Sequence, residues 1–164
     1  MKHTISVLVE NRAGVLSRIT GLFARRGFNI DSLAVSETED KSLSRITITA
    51  QGSAYTVEQL EKQLNKLIDV IKVRTIRPEE LVSRELMLVK VGAGAKTRGE
   101  VTELAGIVGA EVAELSATTL TLQLTGTPDR LDRLIELVKP YGIRELVRTG
   151  VVALEKDGAL AAKG

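Results

Sequence analysis

The residues best placed to do chemistry are Glu10-Asn11-Arg12-Ala13-Gly14-Val15-Leu16. Here an apolar alternation (Ile5, Val7, Val9) gives way to polar and turn residues, and then to Val15, Leu16, Ile19, Leu22 and Phe23 at helical spacing. The chemistry this pattern suits is binding. The first amides of a helix lack an intrahelical partner and lie at the positive end of its dipole, so the N–H groups near Gly14 and Val15 can receive a carboxylate or another anion. Gly14 has no Cβ, which permits positive φ and a close approach to the backbone. Asn11 adds a side-chain amide that both donates and accepts. A small zwitterion fits such a site. The same residue types also suit an ordinary turn and helix cap, and taken alone they favour that simpler role.

Other chemistries find little support. The 164 residues include no cysteine, which removes disulfides, thiolate metal sites and cysteine nucleophiles together. The single histidine, His3, reads as a strand or tail residue, so general bases and metal clusters are scarce. Gly92-Ala93-Gly94-Ala95-Lys96-Thr97 imitates a phosphate loop but lacks the glycine directly before the lysine. Arg26-Gly27-Phe28 begins like an RNA-recognition strand, yet Asn29-Ile30-Asp31 fails its continuation and the stacking aromatics are missing. Val57, Leu60, Leu64, Leu67 and Ile71 fit a heptad too short for a coiled coil. Acidic groups at Glu79-Glu80 and at Glu37, Glu39 and Asp40 have no base or metal partner in view and read as solvated surface.

Composition agrees with a globular domain or two small ones, with 43% hydrophobic and 27% charged residues. Phe23, Phe28, Tyr55 and Tyr141 are the only aromatics, so the core has to be aliphatic. The net charge of +2 comes from interspersed charges and says little about nucleic acid. No apolar run approaches the roughly 18 residues of a membrane span, and no secretory pattern opens the chain, so a cytoplasmic location without membrane attachment is expected.

The elements that must position the junction follow from periodicity. Residues 1–10 predict a strand and 14–26 a helix ended by Gly27, with Arg25 and Arg26 complementing its dipole. Residues 28–37 predict a strand with a bulge between Ile30 and Leu33, and 37–41 a hairpin loop. Residues 43–51 alternate as a strand, a helix is expected to start near Thr56, and 70–76 form a strand stopped by Pro78. The order βαββαβ then recurs: strand 84–91, helix 97–108, a hairpin of 111–116 with 120–125, a helix opened by Pro128 and a strand 143–148. Residues 7–36 and 87–116 match in length, which sets Gly14 opposite Gly94 and Asn11 opposite Val91. Each half of about 75 residues buries only roughly 60% of its unfolded surface and leaves sheet edges and an open face to cover, so a homodimer is expected.

The segment from Ser6 to Arg18, then Gly21-Leu22-Phe23, Arg26-Gly27-Phe28-Asn29-Ile30, Ser44-Arg45, residues 61–67, residues 83–90, Gly126-Thr127 and Arg148-Thr149-Gly150-Val151-Val152 together resemble the small regulatory subunit of acetolactate synthase (acetohydroxyacid synthase). The likeness covers nearly the whole chain up to about Leu154. It implies an α+β fold of two ferredoxin-like βαββαβ domains with antiparallel sheets and helices on one face. An effector-binding, dimerising ACT domain would occupy residues 1–78. An ACT-like domain contacting the catalytic subunit would occupy 79–164, with a flexible tail from about 155. It further implies a non-catalytic subunit that activates a large thiamine-diphosphate enzyme and confers feedback inhibition by valine in branched-chain amino acid biosynthesis. Asn11, Ala13, Gly14, Val15 and Leu16 of one chain would hold the effector with Asn29 and Ile30 of another. Thiamine diphosphate, magnesium and FAD would belong to the catalytic partner. A free-standing amino-acid sensor on the same fold is the alternative; a nucleic-acid binder and an enzyme in its own right rank below it.

Overall fold

The computed structural model describes residues 1–157. Two compact units divide the described residues: 1–82 together with 151–157, and Ser83–Gly150.

In the first unit β1 (Lys2–Glu10), α1 (Val15–Arg25), β2 (Ile30–Glu37), β3 (Leu43–Gln51), α2 (Ala54–Asn65) and β4 (Val70–Ile76) form an antiparallel sheet in the order β2-β3-β1-β4, with two helices. Alternation decides the faces. Val7 pairs with Ile46 on one side and Val73 on the other, and Ile5, Val7, Val9, Ile46 and Ile48 all turn towards one core. Val15, Ile19, Leu22 and Phe23 of α1 and Val57, Leu60 and Leu64 of α2 close that core from above. It is aliphatic apart from Phe23 and Phe28, whose rings meet edge to face with centroids 5.9 Å apart.

That ring pair is part of how α1 stops. Gly27 adopts φ +70°, its N–H donates to Ala24 O (3.1 Å) and the N–H of Phe28 donates to Phe23 O (3.0 Å), a Schellman cap with its apolar contact. Phe28 therefore belongs to the cap, and β2 begins at Ile30 instead of the expected residue 28. The register shift between Ile30 and Ser32 is the expected bulge. The second helix starts earlier than expected, because Ser53 and not Thr56 is its cap: Ser53 Oγ accepts from the Thr56 N–H at 3.2 Å.

The second unit repeats the order with β5 (Leu81–Gly92), α3 (Arg98–Ile107), β6 (Glu111–Leu115), β7 (Thr119–Gly126), α4 (Pro128–Val138) and β8 (Ile143–Arg148), and a sheet ordered β6-β7-β5-β8. Its core is Met87, Val89, Val91, Val101, Ala105, Leu120, Leu122, Leu124, Leu131, Leu134 and Val138. The duplication runs down to single bonds. The bulge at Leu8/Val9 reappears at Lys90/Val91. The bonds from Glu10 N to Asp69 O and from Asn11 N to Ser42 O reappear from Gly92 N to Gly142 O and from Ala93 N to Thr118 O. Gly109 (φ +81°) repeats the cap of Gly27, with Ala110 N donating to Ala105 O. These bonds correct the equal-length alignment, which is two residues out of step: Asn11 stands opposite Ala93 rather than Val91, and Gly14 opposite Lys96 rather than Gly94.

A ninth strand, β9 (Val152–Glu155), was not expected; it pairs with β5. Its residues fall within the first compact unit, although its ladder is with β5 of the second sheet. Val151 and Ala153 cluster with Ile76 and Leu81, Glu155 bonds Arg74 at 2.8 Å, and Lys156 N donates to Glu80 O at 2.8 Å. Part of the first sheet's second face is covered in this way. The tail expected to be flexible from about 155 lies, beyond residue 157, outside the described residues.

Candidate functional site at the first strand-to-helix junction

At Glu10 the chain is held from both sides. Its N–H donates to Asp69 O (2.8 Å), the next N–H, of Asn11, donates to Ser42 O (2.8 Å), and Asn11 Nδ2 donates to Lys41 O (3.0 Å) and lies 3.5 Å from Glu37 Oε1. The loop beyond can then turn only at a residue that tolerates a left-handed backbone, and Gly14 does so at φ 86°, ψ −10°. The helical ladder starts with the Arg18 N–H on Gly14 O (3.1 Å), which leaves the amides of Leu16 and Ser17 outside it. No side chain caps α1 and its first turn carries no acid. By contrast Ser53 caps α2, while α3 and α4 carry Glu100 and Asp129 in their first turns.

The structure brings Asn11, Ala13, Gly14, Val15 and Leu16 together at one edge of the first unit. Val15 is 4% exposed and packs into the core, while its N–H donates to Arg12 O at 3.5 Å; Leu16, 39% exposed, is the apolar surface beside it. Asn29 and Ile30 are not brought there within the chain. Ile30 pairs with Ala50 at the start of β2, whereas the Asn11 loop meets the end of that strand, where Glu37 pairs with Ser44.

Three charged residues outside the expected effector-binding set, Arg12, Arg18 and Asp69, flank this junction. The Arg18 guanidinium folds back along α1, with Nη2 3.8 Å from where a Cβ on Gly14 would stand, and its Nη1 lies 2.7 Å from Asp69 Oδ2. Arg12 Nη1 is 4.0 Å from the other oxygen of that carboxylate, whose side chain is only 9% exposed. Helical spacing marked Arg18 as off the apolar face, but its meeting with Asp69 is a long-range contact with no local signature.

Elsewhere the chemistry stays sparse. His3 Nε2 is 2.9 Å from Gly52 O, a backbone contact within the sheet edge. Among the described residues no three His, Cys, Asp or Glu side chains gather as a metal group, and no helix is long and apolar enough to cross a membrane. In the phosphate-loop look-alike, Gly94 O accepts the N–H groups of Thr97 and Arg98, so the loop caps α3 with its own backbone.

A βαββαβ unit with a glycine-led, uncapped first helix is the architecture of an ACT-type domain. A family profile described as an AHAS small subunit-like ACT domain matches residues 5–72, and one described as the small subunit of acetolactate synthase matches residues 84–157. The acetolactate synthase small subunit of Mycolicibacterium smegmatis is 49% identical over 154 residues, 94% of this chain and 91% of that protein. A probable acetolactate synthase small subunit of Archaeoglobus fulgidus is 51% identical, again over 94% of this chain and 96% of its own length. The crystal structure of the acetolactate synthase small subunit from Thermotoga maritima superposes with a TM-score of 0.88 at 37% identity, covering 95% of this chain and 98% of that one. The chain belongs to the acetolactate synthase small-subunit family.

Proposed function

We propose that this chain is the non-catalytic regulatory subunit of an acetolactate synthase, which raises the activity of a large catalytic subunit and transmits feedback inhibition by valine. The observation that carries the reading is the N-terminus of α1: amides of Leu16 and Ser17 outside the helical ladder, a Val15 amide held only by a long 3.5 Å bond to Arg12 O, no capping side chain, no acid, and Gly14 in a conformation that lets a ligand's carboxylate reach the backbone. The effector lies between two copies of the first domain, with its carboxylate on the amides of Gly14 and Val15, its ammonium near Asn11, and its aliphatic side chain against Leu16 and Ile30 of the partner subunit. Asn29 of the partner subunit completes the polar contacts. Thiamine diphosphate, magnesium and FAD sit on the catalytic subunit, and this chain contributes no catalytic group. The second domain contacts that subunit. Valine acts by favouring one geometry of the complex over another, since a ligand shifts an equilibrium only through differential affinity. Pocket size alone separates valine from isoleucine by only about 1 to 3 kcal/mol.

The test is a thermal-unfolding titration of the full chain with valine, leucine, isoleucine and lysine, beside an activation assay with the catalytic subunit. Valine at about 100 times its dissociation constant adds about 2.7 kcal/mol and moves the midpoint by several degrees. The shift disappears in Asn11→Ala and in Gly14→Asp, and valine no longer inhibits the complexes these variants activate. A midpoint indifferent to every branched-chain amino acid, together with a complex that valine leaves fully active, overturns the reading.

A further inference from the structure

We infer that Asp69 is a specificity-determining residue of the Asn11–Leu16 junction: by offsetting one of the two positive charges of Arg12 and Arg18 it makes the site take a zwitterionic amino acid and reject the 2-oxo acid of the same carbon skeleton. This rests on reading the junction as an amino-acid site.

The N-terminus of α1 is positive by its dipole and carries no acid of its own. Arg18 and Arg12 bring two guanidinium groups to the same edge. With both guanidinium charges unopposed, the junction would favour any small carboxylate, and the one carboxylate left to draw an ammonium would be Glu37, 3.5 Å from Asn11 Nδ2. Asp69 changes that. Its carboxylate bonds Arg18 at 2.7 Å and faces Arg12 at 4.0 Å, and a side chain only 9% exposed feels little screening. Its position is fixed as well, because its own carbonyl accepts the N–H of Glu10, the residue that leads into the loop. Arg18 touches the space over Gly14, so the offset charge acts within a few ångströms of the anion position.

The second unit supports the assignment by contrast. There the place of Asp69 is taken by Gly142, that of Arg18 by Glu100 and that of Arg12 by Gly94, while the neutral Tyr141 OH donates to Glu100 Oε2 at 3.0 Å. A tie between helix and turn is therefore made without a buried carboxylate where no effector is expected. Holding the fold together does not require the charged pair.

A unit charge within about 10 Å, at an effective dielectric near 20, alters the affinity for another unit charge by roughly tenfold. The experiment is calorimetric titration of the full-length chain with L-valine and with 3-methyl-2-oxobutanoate, in the wild type, Asp69→Asn, Arg18→Gln and the double variant. The wild type prefers valine. Asp69→Asn lowers the valine to oxo-acid affinity ratio by roughly tenfold, Arg18→Gln raises it, and the double variant, with its charge balance restored, returns to within about threefold of the wild type. A merely structural Asp69 would weaken both ligands together and would not be rescued. An unchanged ratio in Asp69→Asn overturns the inference and leaves the amino-acid site standing; a wild type that binds neither ligand overturns both. Should Asp69→Asn fail to fold, an unchanged ratio in Arg18→Gln is the overturning result.

Discussion

The two βαββαβ units share a skeleton and differ in the few residues that could bind anything. Both place a bulge late in the central strand, both end the first helix with a glycine in the left-handed region, and both carry the same pair of backbone bonds at the point where strand becomes loop. In the first, that point opens into Asn11 and Gly14 with Arg18 and Asp69 behind them. In the second, Ala93, 2% exposed, lies buried at the place of Asn11, and Glu100 and Tyr141 replace the ion pair. The hydrophobic pattern and the backbone caps thus specify the skeleton, and function depends on side chains that the skeleton leaves free to change.

The largest effect that sharpens this comparison lies in the core. Phe23→Ala removes a fully buried ring and the edge-to-face partner of Phe28, and is expected to cost about 3 to 5 kcal/mol in urea unfolding. The equivalent position of the second unit is already Ala105, so Ala105→Gly costs only about 2 kcal/mol, roughly half from helix propensity and half from the buried methyl. Equal losses would mean that the two cores are not built alike.

Next come the two cap glycines. An L residue in the left-handed region costs about 1 to 2 kcal/mol, which is the whole expectation for Gly27→Ala because a Cβ there meets nothing within 4 Å. Gly109→Ala costs more: its Cβ would stand 2.8 Å from Arg130 Nη2, displacing the guanidinium that donates to Val108 O. Denaturant midpoints of the two variants should differ in that order, and the reverse order would break the equivalence of the caps.

The smallest difference is electrostatic. In the first hairpin the side-chain hydroxyl and backbone N–H of Ser42 donate to Asp40 and hold its carboxyl below the usual range, whereas the second hairpin is tied by the uncharged Ser116 Oγ, which accepts from Thr118 and Thr119. The folded state thus binds this proton less tightly than the unfolded chain. The contribution of Asp40 is present above the ordinary carboxylate range and is lost as pH falls through the lowered value. Amide exchange at Ser42 should quicken over that interval relative to Thr119, and Asp40→Asn should flatten the difference.

Much of this was legible from residue order alone, for reasons that also explain the misses. β3 and β4 have the bounds that alternation predicts, because a half-buried strand writes its period into the sequence. β2 began late because Phe28, apolar and strand-like, is consumed by a helix cap, and α2 began early because Ser53 outcompeted Thr56 for the capping bond. Asn11 to Leu16 cluster because they are contiguous. Asp69 went unnoticed because its partners are distant in sequence, and β9 because four residues carry too little pattern to announce a strand whose packing partners lie far along the chain.

The return of Val151–Glu155 to the first unit makes the second unit an insertion in the first. During synthesis the first sheet can close its helical face early, but Ile76 waits for Val151 and Ala153 until the entire second unit has been made. If that unit has already folded, its ends are held close and the remaining loop is short, so closure costs little entropy; if it has not, the segment must close a loop spanning the whole insertion. Completion of the first unit is therefore timed by the folding of the second.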